Sequence, residues 1–165
     1  MSTSRMNEDI AHEFNCKFYR SKVGEANVIE LMKKKKSIAG GEGNGGIIAG
    51  QIHFGRDSLV GIGYLLQGIT SGQKVSDLVK KIPAYAMLKT SFPVQKEKLE
   101  KALNKLKKKY INENINCSDG IRIDFKDKWV HLRGSNTEPI IRIISEAKTR
   151  IEAEKLIRGI HQELK

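Results

Sequence analysis

The alternation of apolar and polar residues divides the chain into two stretches with different rhythms. In the first, RMNEDIAHEFN (5–15) and GEANVIELMKKKK (24–36) carry apolar residues at helical spacing, with Ile10, Phe14, Val28, Leu31 and Met32 on the faces to be buried. The short runs KFY (17–19) and SIA (37–39) read as strands between them, a helix–strand–helix–strand series typical of a layered α/β domain. GRDSLVGIGYLLQGITSG (55–72) reads as a helix with Asp57 or Ser58 as N-cap, and SDLVKKIP (76–83) as a short helix stopped by Pro83.

Beyond that point the pattern changes. YAMLKTSFPV (85–94) is strand-like, and QKEKLEKALNKLKKKY (95–110) is the clearest helix in the chain. Ile121, Ile123 and Phe125 alternate with Arg122 and Asp124, as in a half-buried strand, and Ile141, Ile143 and Ser145 do so less cleanly. KDK (126–128) is a hairpin turn, and TRIEAEKLIRGIHQEL (149–164) closes the chain as a helix. The expected architecture is α/β plus α+β. A layered α/β unit covers 1–75, and a small α+β unit with helices on one face of an antiparallel sheet covers 76–165, the two being joined within residues 73–84.

Five of the seven residues in Gly40–Gly46 are glycine, the others being Glu42 and Asn44. Such a loop admits close approach to its backbone. Gly41, Gly43 and Gly46 satisfy G-x-G-x-x-G, but a dinucleotide site needs a helix to begin inside the motif, and here IIAGQIHF follows. No Gly-Lys-Ser/Thr closes the loop either, which excludes a triphosphate cradle. One carboxylate and one amide two residues apart suit sugar hydroxyls. A plain connecting turn fits the same residues equally well.

Composition adds direction. The chain has 30 Lys+Arg against 19 Asp+Glu, a formal net charge of +11, which favours anionic partners. Much of the excess lies in MKKKKS (32–37) and KLKKKY (105–110), near helix ends where cations complement the dipole. A nucleic-acid module is the rival from another class. It lacks a reading helix or an aromatic platform, with aromatics at 6 % and scattered. No apolar run is long enough to span a bilayer, and the polar N-terminus holds no signal core, so a cytoplasmic location is expected. Cys16 and Cys117 are expected to be free, buried thiols.

RGSNTEPIIR (133–142) is richer in chemistry. Arg133 offers a planar fork for phosphate oxygens, Ser135, Asn136 and Thr137 are consecutive short donors, Gly134 permits a backbone nest, and Arg142 follows on the next strand. These residues suit a phosphate group; a polar hairpin loop fits them as well, since Ser, Asn and Thr are also turn formers.

Together, GGEGNGG, GRDSLVGI and RGSNTEPIIR closely resemble the α-D-phosphohexomutase superfamily, nearest its phosphoglucosamine and phosphomannomutases, and STSRM…RSKVGEANVIELM resembles that family's third domain. The resemblance implies a four-domain enzyme, of which this chain would supply part of a three-layer domain three and all of domain four. It implies that Glu42 and Asn44 hold sugar hydroxyls, that Arg133, Ser135, Asn136 and Thr137 grip the phosphate not being transferred, and that Lys22 faces substrate. Many relatives have Ser-Gly-His where Asn44-Gly45-Gly46 stand, so the role of that His is absent here; His53 is nearby but a lone His is more often structural. The family's phosphoserine loop and D-x-D-x-D metal loop are missing, so no catalytic or metal-ligating residue is expected in this chain. Mg²⁺, a hexose 1,6-bisphosphate and the N-terminal domains would belong to the full-length enzyme, and a non-catalytic phosphosugar-binding relative is a further alternative.

Overall fold

Seven strands and six helices make up two compact units in a computed structural model that describes residues 1–135 and 138–164, the side chains of Lys96 and Glu97 apart. One unit is Met6–Pro83; the other is Ala84–Lys165 together with Met1–Arg5.

The first unit holds α1 (Met6–Glu13), α2 (Glu25–Lys35), the hairpin of β1 (Ala39–Gly41) and β2 (Ile47–Ala49), α3 (Ser58–Thr70) and α4 (Val75–Lys80). Val28 and Met32 of α2 pack against Ile48 of β2 in a small buried cluster. Lys33, Lys34 and Lys35 occupy the last turn of α2, and Lys36 closes it in the left-handed conformation. Asp57 caps α3, its Oδ1 accepting from the N–H groups of Leu59 and Val60 at 2.8 and 3.1 Å.

Several sequence expectations need correction here. Residues 17–19 form no strand; Phe18 and Tyr19 instead lie against the cationic heads of Arg20 and Lys35, and no ladder partner adjoins them among the described residues. The strand expected at 37–39 starts later, at Ala39, and runs into the glycine loop itself. Phe14 is 70 % exposed and α1 buries none of its residues. The two cysteines are free but exposed, not buried. Helix α3 is apolar nearly throughout and buries none of its side chains; Leu59, Ile62, Leu65, Leu66 and Ile69 are all exposed.

The second unit is an antiparallel sheet in the order β3-β7-β6-β5-β4, built from β3 (Ala86–Pro93), β4 (Asn114–Asn116), β5 (Ile121–Asp124), β6 (Trp129–Gly134) and β7 (Ile140–Ala147). Helices α5 (Lys96–Lys109) and α6 (Arg150–Glu163) cover one face. Ile121, Ile123, Val130, Leu132, Ile141 and Ile143 point there and meet Leu106 of α5 and Ile160 of α6, all essentially without exposure. Burial of such a face contributes roughly 1.5–3 kcal/mol per large side chain before chain entropy is subtracted. Thr149 starts α6 with a capping box, reciprocated by Glu152.

Part of the other face of the sheet is polar and still buried, a feature that alternation alone did not reveal. Arg122, His131 and Glu146 are at most 1 % exposed. Arg122 lies 3.9 Å from the centre of the Trp129 ring and forms a bidentate pair with Asp124 at 2.7 and 2.8 Å. Met1–Arg5 lies over this face. The Met1 carbonyl accepts from Arg122, and the Arg5 backbone N–H and the Trp129 indole N–H both donate to Glu146 Oε1, at 2.8 and 2.7 Å. Each buried charge therefore has a partner, which is what makes its burial tolerable.

Candidate functional site

The glycine loop is a tight hairpin in the first unit. The Glu42 N–H donates to the Gly46 carbonyl at 3.1 Å, and the Gly45 N–H donates to the Glu42 carbonyl at 3.1 Å. A Cβ on Gly41 would stand 2.5 Å from the Gly46 carbonyl oxygen, so the two arms can close only because that side chain is absent. Asn44 spends its Oδ1 on the Gly46 N–H at 3.3 Å and is exposed, which leaves its amide NH₂ as the half available for recognition.

Glu42 stands 3.6 Å from the Arg56 guanidinium. Arg56 is anchored twice more by Glu25, whose Oε1 accepts from the Arg56 backbone N–H and whose Oε2 accepts from Nε, both at 2.9 Å. These contacts, the backbone hydrogen bond foremost, hold the Glu25 carboxyl below its ordinary range. Asp57 is lowered as well, first by the hydrogen bond from His53 at 3.0 Å and then by the backbone N–H of Val60. An open groove of about 610 Å³ runs from Asn44, Gly45 and Gly46 past Arg56 to the first turns of α3. Lys22 is exposed in the loop before α2. Arg56 has no periodic signature; its only signal is its place in the GRDSL run that begins a capped helix.

The second loop joins β6 to β7 in the sheet unit. Arg133 and Arg142 are direct cross-strand partners and so share one face of the sheet. Gly134 pairs with Ile141, and the Ser135 N–H closes the loop onto the Ile140 carbonyl at 3.0 Å. Asn136 and Thr137 lie outside the described residues. Two cations set opposite one another repel, and each is offset by one acid: Arg133 by Asp119 at 3.5 Å, and Arg142 by Glu138 at 3.3 Å. Arg133 Nε is buried and has no hydrogen-bond partner among the described residues. Two arginine side chains thus leave from paired positions of adjacent strands, one of them with a buried donor left unpaired among the described residues. Asp119 is a residue that sequence reasoning missed, because its carboxylate reaches Arg133 from the turn before β5.

Glycine hairpin, capped helix and arginine pair lie within matches to known domains. The chain belongs to the phosphoglucomutase/phosphomannomutase family, whose α/β/α domain III matches residues 1–85 and whose C-terminal domain matches residues 90–161. Among its relatives, a phosphoglucomutase/phosphomannomutase of Thermococcus kodakarensis is 35 % identical over 161 residues, an alignment covering 95 % of this chain and 35 % of that protein. A probable phosphoglucosamine mutase of Pyrococcus horikoshii is 32 % identical, with 92 % of this chain and 34 % of that protein covered. The chain thus spans about a third of the length of these curated relatives.

The fold is shared with a phosphoglucomutase/phosphomannomutase family protein of Burkholderia thailandensis, with a TM-score of 0.71 at 20 % identity over 87 % of this chain and 31 % of that one. It is shared too with a putative phosphomannomutase of Thermus thermophilus, with a TM-score of 0.67 at 17 % identity over 99 % of this chain and 34 % of that one. No helix among the described residues is long and apolar enough to cross a membrane.

Proposed function

We propose that this chain is the sugar- and phosphate-binding C-terminal part of a phosphohexomutase, an isomerase that interconverts hexose 1- and 6-phosphates, with a hexosamine phosphate as the preferred ligand. The single observation behind this reading is the Arg133–Arg142 pair flanking the Gly134–Ser135 turn, with a buried Nε donor unsatisfied. Arg133, Gly134, Ser135, Asn136, Thr137 and Arg142 hold the phosphate that is not being transferred. Glu42 and Asn44 read sugar hydroxyls, and Lys22 faces substrate. The name of the Pyrococcus relative supports the choice of hexosamine.

The work of these residues is positioning. A phosphate gripped remote from the reacting atom supplies binding energy that orients the sugar, which is how most phosphoryl-transfer catalysis is achieved. No three His, Cys, Asp or Glu side chains among the described residues converge as a metal-binding group. The Mg²⁺ of the family, which neutralises charge on a transferring phosphoryl group, would be held by a D-x-D-x-D loop, a run this sequence does not contain. This chain by itself binds a phosphosugar and transfers nothing; nucleophile and metal come from the N-terminal domains.

Titration of glucosamine 6-phosphate into ¹⁵N-labelled chain, beside Arg133→Ala, tests the reading. Saturable shifts at Arg133, Gly134 and Ser135 that disappear in the folded variant are expected. A folded parent chain that gives no shifts at millimolar sugar phosphate would overturn it.

A further inference from the structure

Arg133 is held by a residue that no resemblance brought forward. Its Nη1 lies 3.5 Å from Asp119 Oδ2. Asp119 in turn is fixed through its backbone, because its carbonyl accepts a hydrogen bond from His131 Nε2 at 2.6 Å. A carbonyl can only accept, so Nε2 carries the proton and Nδ1 presents a lone pair. That lone pair takes the Ser2 hydroxyl at 2.8 Å. His131 and Arg133 stand two residues apart on one face of β6, and Asp119 bridges them, main chain to one and side chain to the other.

The turn runs close against β6. Gly120 sits at φ +67, and a Cβ there would lie 2.0 Å from the Leu132 carbonyl oxygen and 2.9 Å from Arg133 Cα. Both obstacles are backbone, so only a glycine lets the turn pack this closely on the strand.

We infer that Asp119 is a positioning residue of the anion site, seated by His131 and Gly120 and holding the Arg133 guanidinium in its binding orientation. This rests on the reading of Arg133 as a phosphate ligand. A carboxylate beside a dianion site lowers affinity by repulsion if it does nothing else, so its removal would tighten binding. A carboxylate that orders a long, many-rotamer side chain has the opposite effect, because the arginine must otherwise be ordered when the ligand binds. The sign of the Asp119→Asn effect therefore separates competitor from positioner.

The experiment is calorimetric titration of glucosamine 6-phosphate into the full chain carrying Arg133→Ala, Asp119→Asn, His131→Met or His131→Gln, each with a urea midpoint. Asp119→Asn is expected to weaken binding about threefold or more, the order of one partly exposed ion pair. His131→Met weakens it too, while His131→Gln, whose amide can still donate to the Asp119 carbonyl, stays within about twofold of the parent. A purely structural Asp119 would shift the urea midpoint and leave the dissociation constant of the folded protein unchanged. Unchanged or tighter binding in Asp119→Asn, with Arg133→Ala weakened, overturns the positioning role and spares the phosphate reading. Undiminished binding in Arg133→Ala removes both. Asp119→Asn decides the matter even if the buried His131 variants do not fold.

Discussion

Arg133 and Arg142 stand directly opposite one another across β6 and β7, two like charges where a sheet ordinarily sets opposite ones. Ligand binding and stability then pull in different directions. Arg142→Thr is expected to raise the urea stability of the ligand-free chain by about 0.2–1 kcal/mol while weakening glucosamine 6-phosphate binding. Parallel urea melts and titrations check it; a loss of stability would mean the repulsion is already fully offset by Asp119 and Glu138.

Arg133→Ala is expected to cost on the order of 1.5–3 kcal/mol of phosphosugar affinity, the range of a hydrogen bond to a charged group. Equal affinity in variant and parent, by calorimetry, would count against the site.

Much of this was legible in the residues. The long amphipathic helix, the alternating strands at 121–125 and 140–147, the Asp57 cap and the arginine loop all announce themselves through period or turn chemistry. What lay hidden was non-local. Alternation at Arg122 and Asp124 gives a strand two faces but cannot say that Met1–Arg5, more than a hundred residues away in sequence, covers the polar one. Strand β4 carries too short a pattern to be read. Within the glycine loop periodicity is silent, because glycine has no side chain to count, so the start of β1 at Ala39 was missed. Asp119 carried only an Asp-Gly turn signal, with nothing to connect it to Arg133.

Burial pushes the His131 imidazole down from 6.5 to about 4, outweighing the hydrogen bond to the Asp119 carbonyl. Between those values the unfolded chain binds a proton that the folded chain refuses, so stability rises with pH there and is lost as pH falls from about 6.5 toward 4. The full loss is about 3 kcal/mol. Urea midpoints of the parent and His131→Gln at pH 7.5, 5.5 and 4.5 isolate it: the parent should lose more, and parallel curves would refute the assignment.

Gly120→Ala combines a left-handed backbone with a collision against main-chain atoms that cannot swing aside. A destabilisation of about 2–4 kcal/mol is expected, well beyond that of an ordinary glycine-to-alanine exchange. A thermal melt settles it, and a change under about 1 kcal/mol would mean the turn relaxes freely.

Thr149→Ala removes one half of the α6 capping box and is expected to cost about 1 kcal/mol. Thr149→Ser should recover most of it in the same urea series.

One consequence of the Met1–Arg5 segment is topological. Arg5 is moored on Glu146, and Ala86 pairs with the next residue of β7, Ala147. Everything between, Met6–Pro83, is an excursion that leaves the sheet and returns to it at neighbouring points of one strand. The sheet unit is thus written around its companion like brackets around a clause. A gene in which a short glycine–serine bridge joins Arg5 to Ala84 should still encode a folded sheet, with its arginine pair intact and the exposed apolar helix α3 gone.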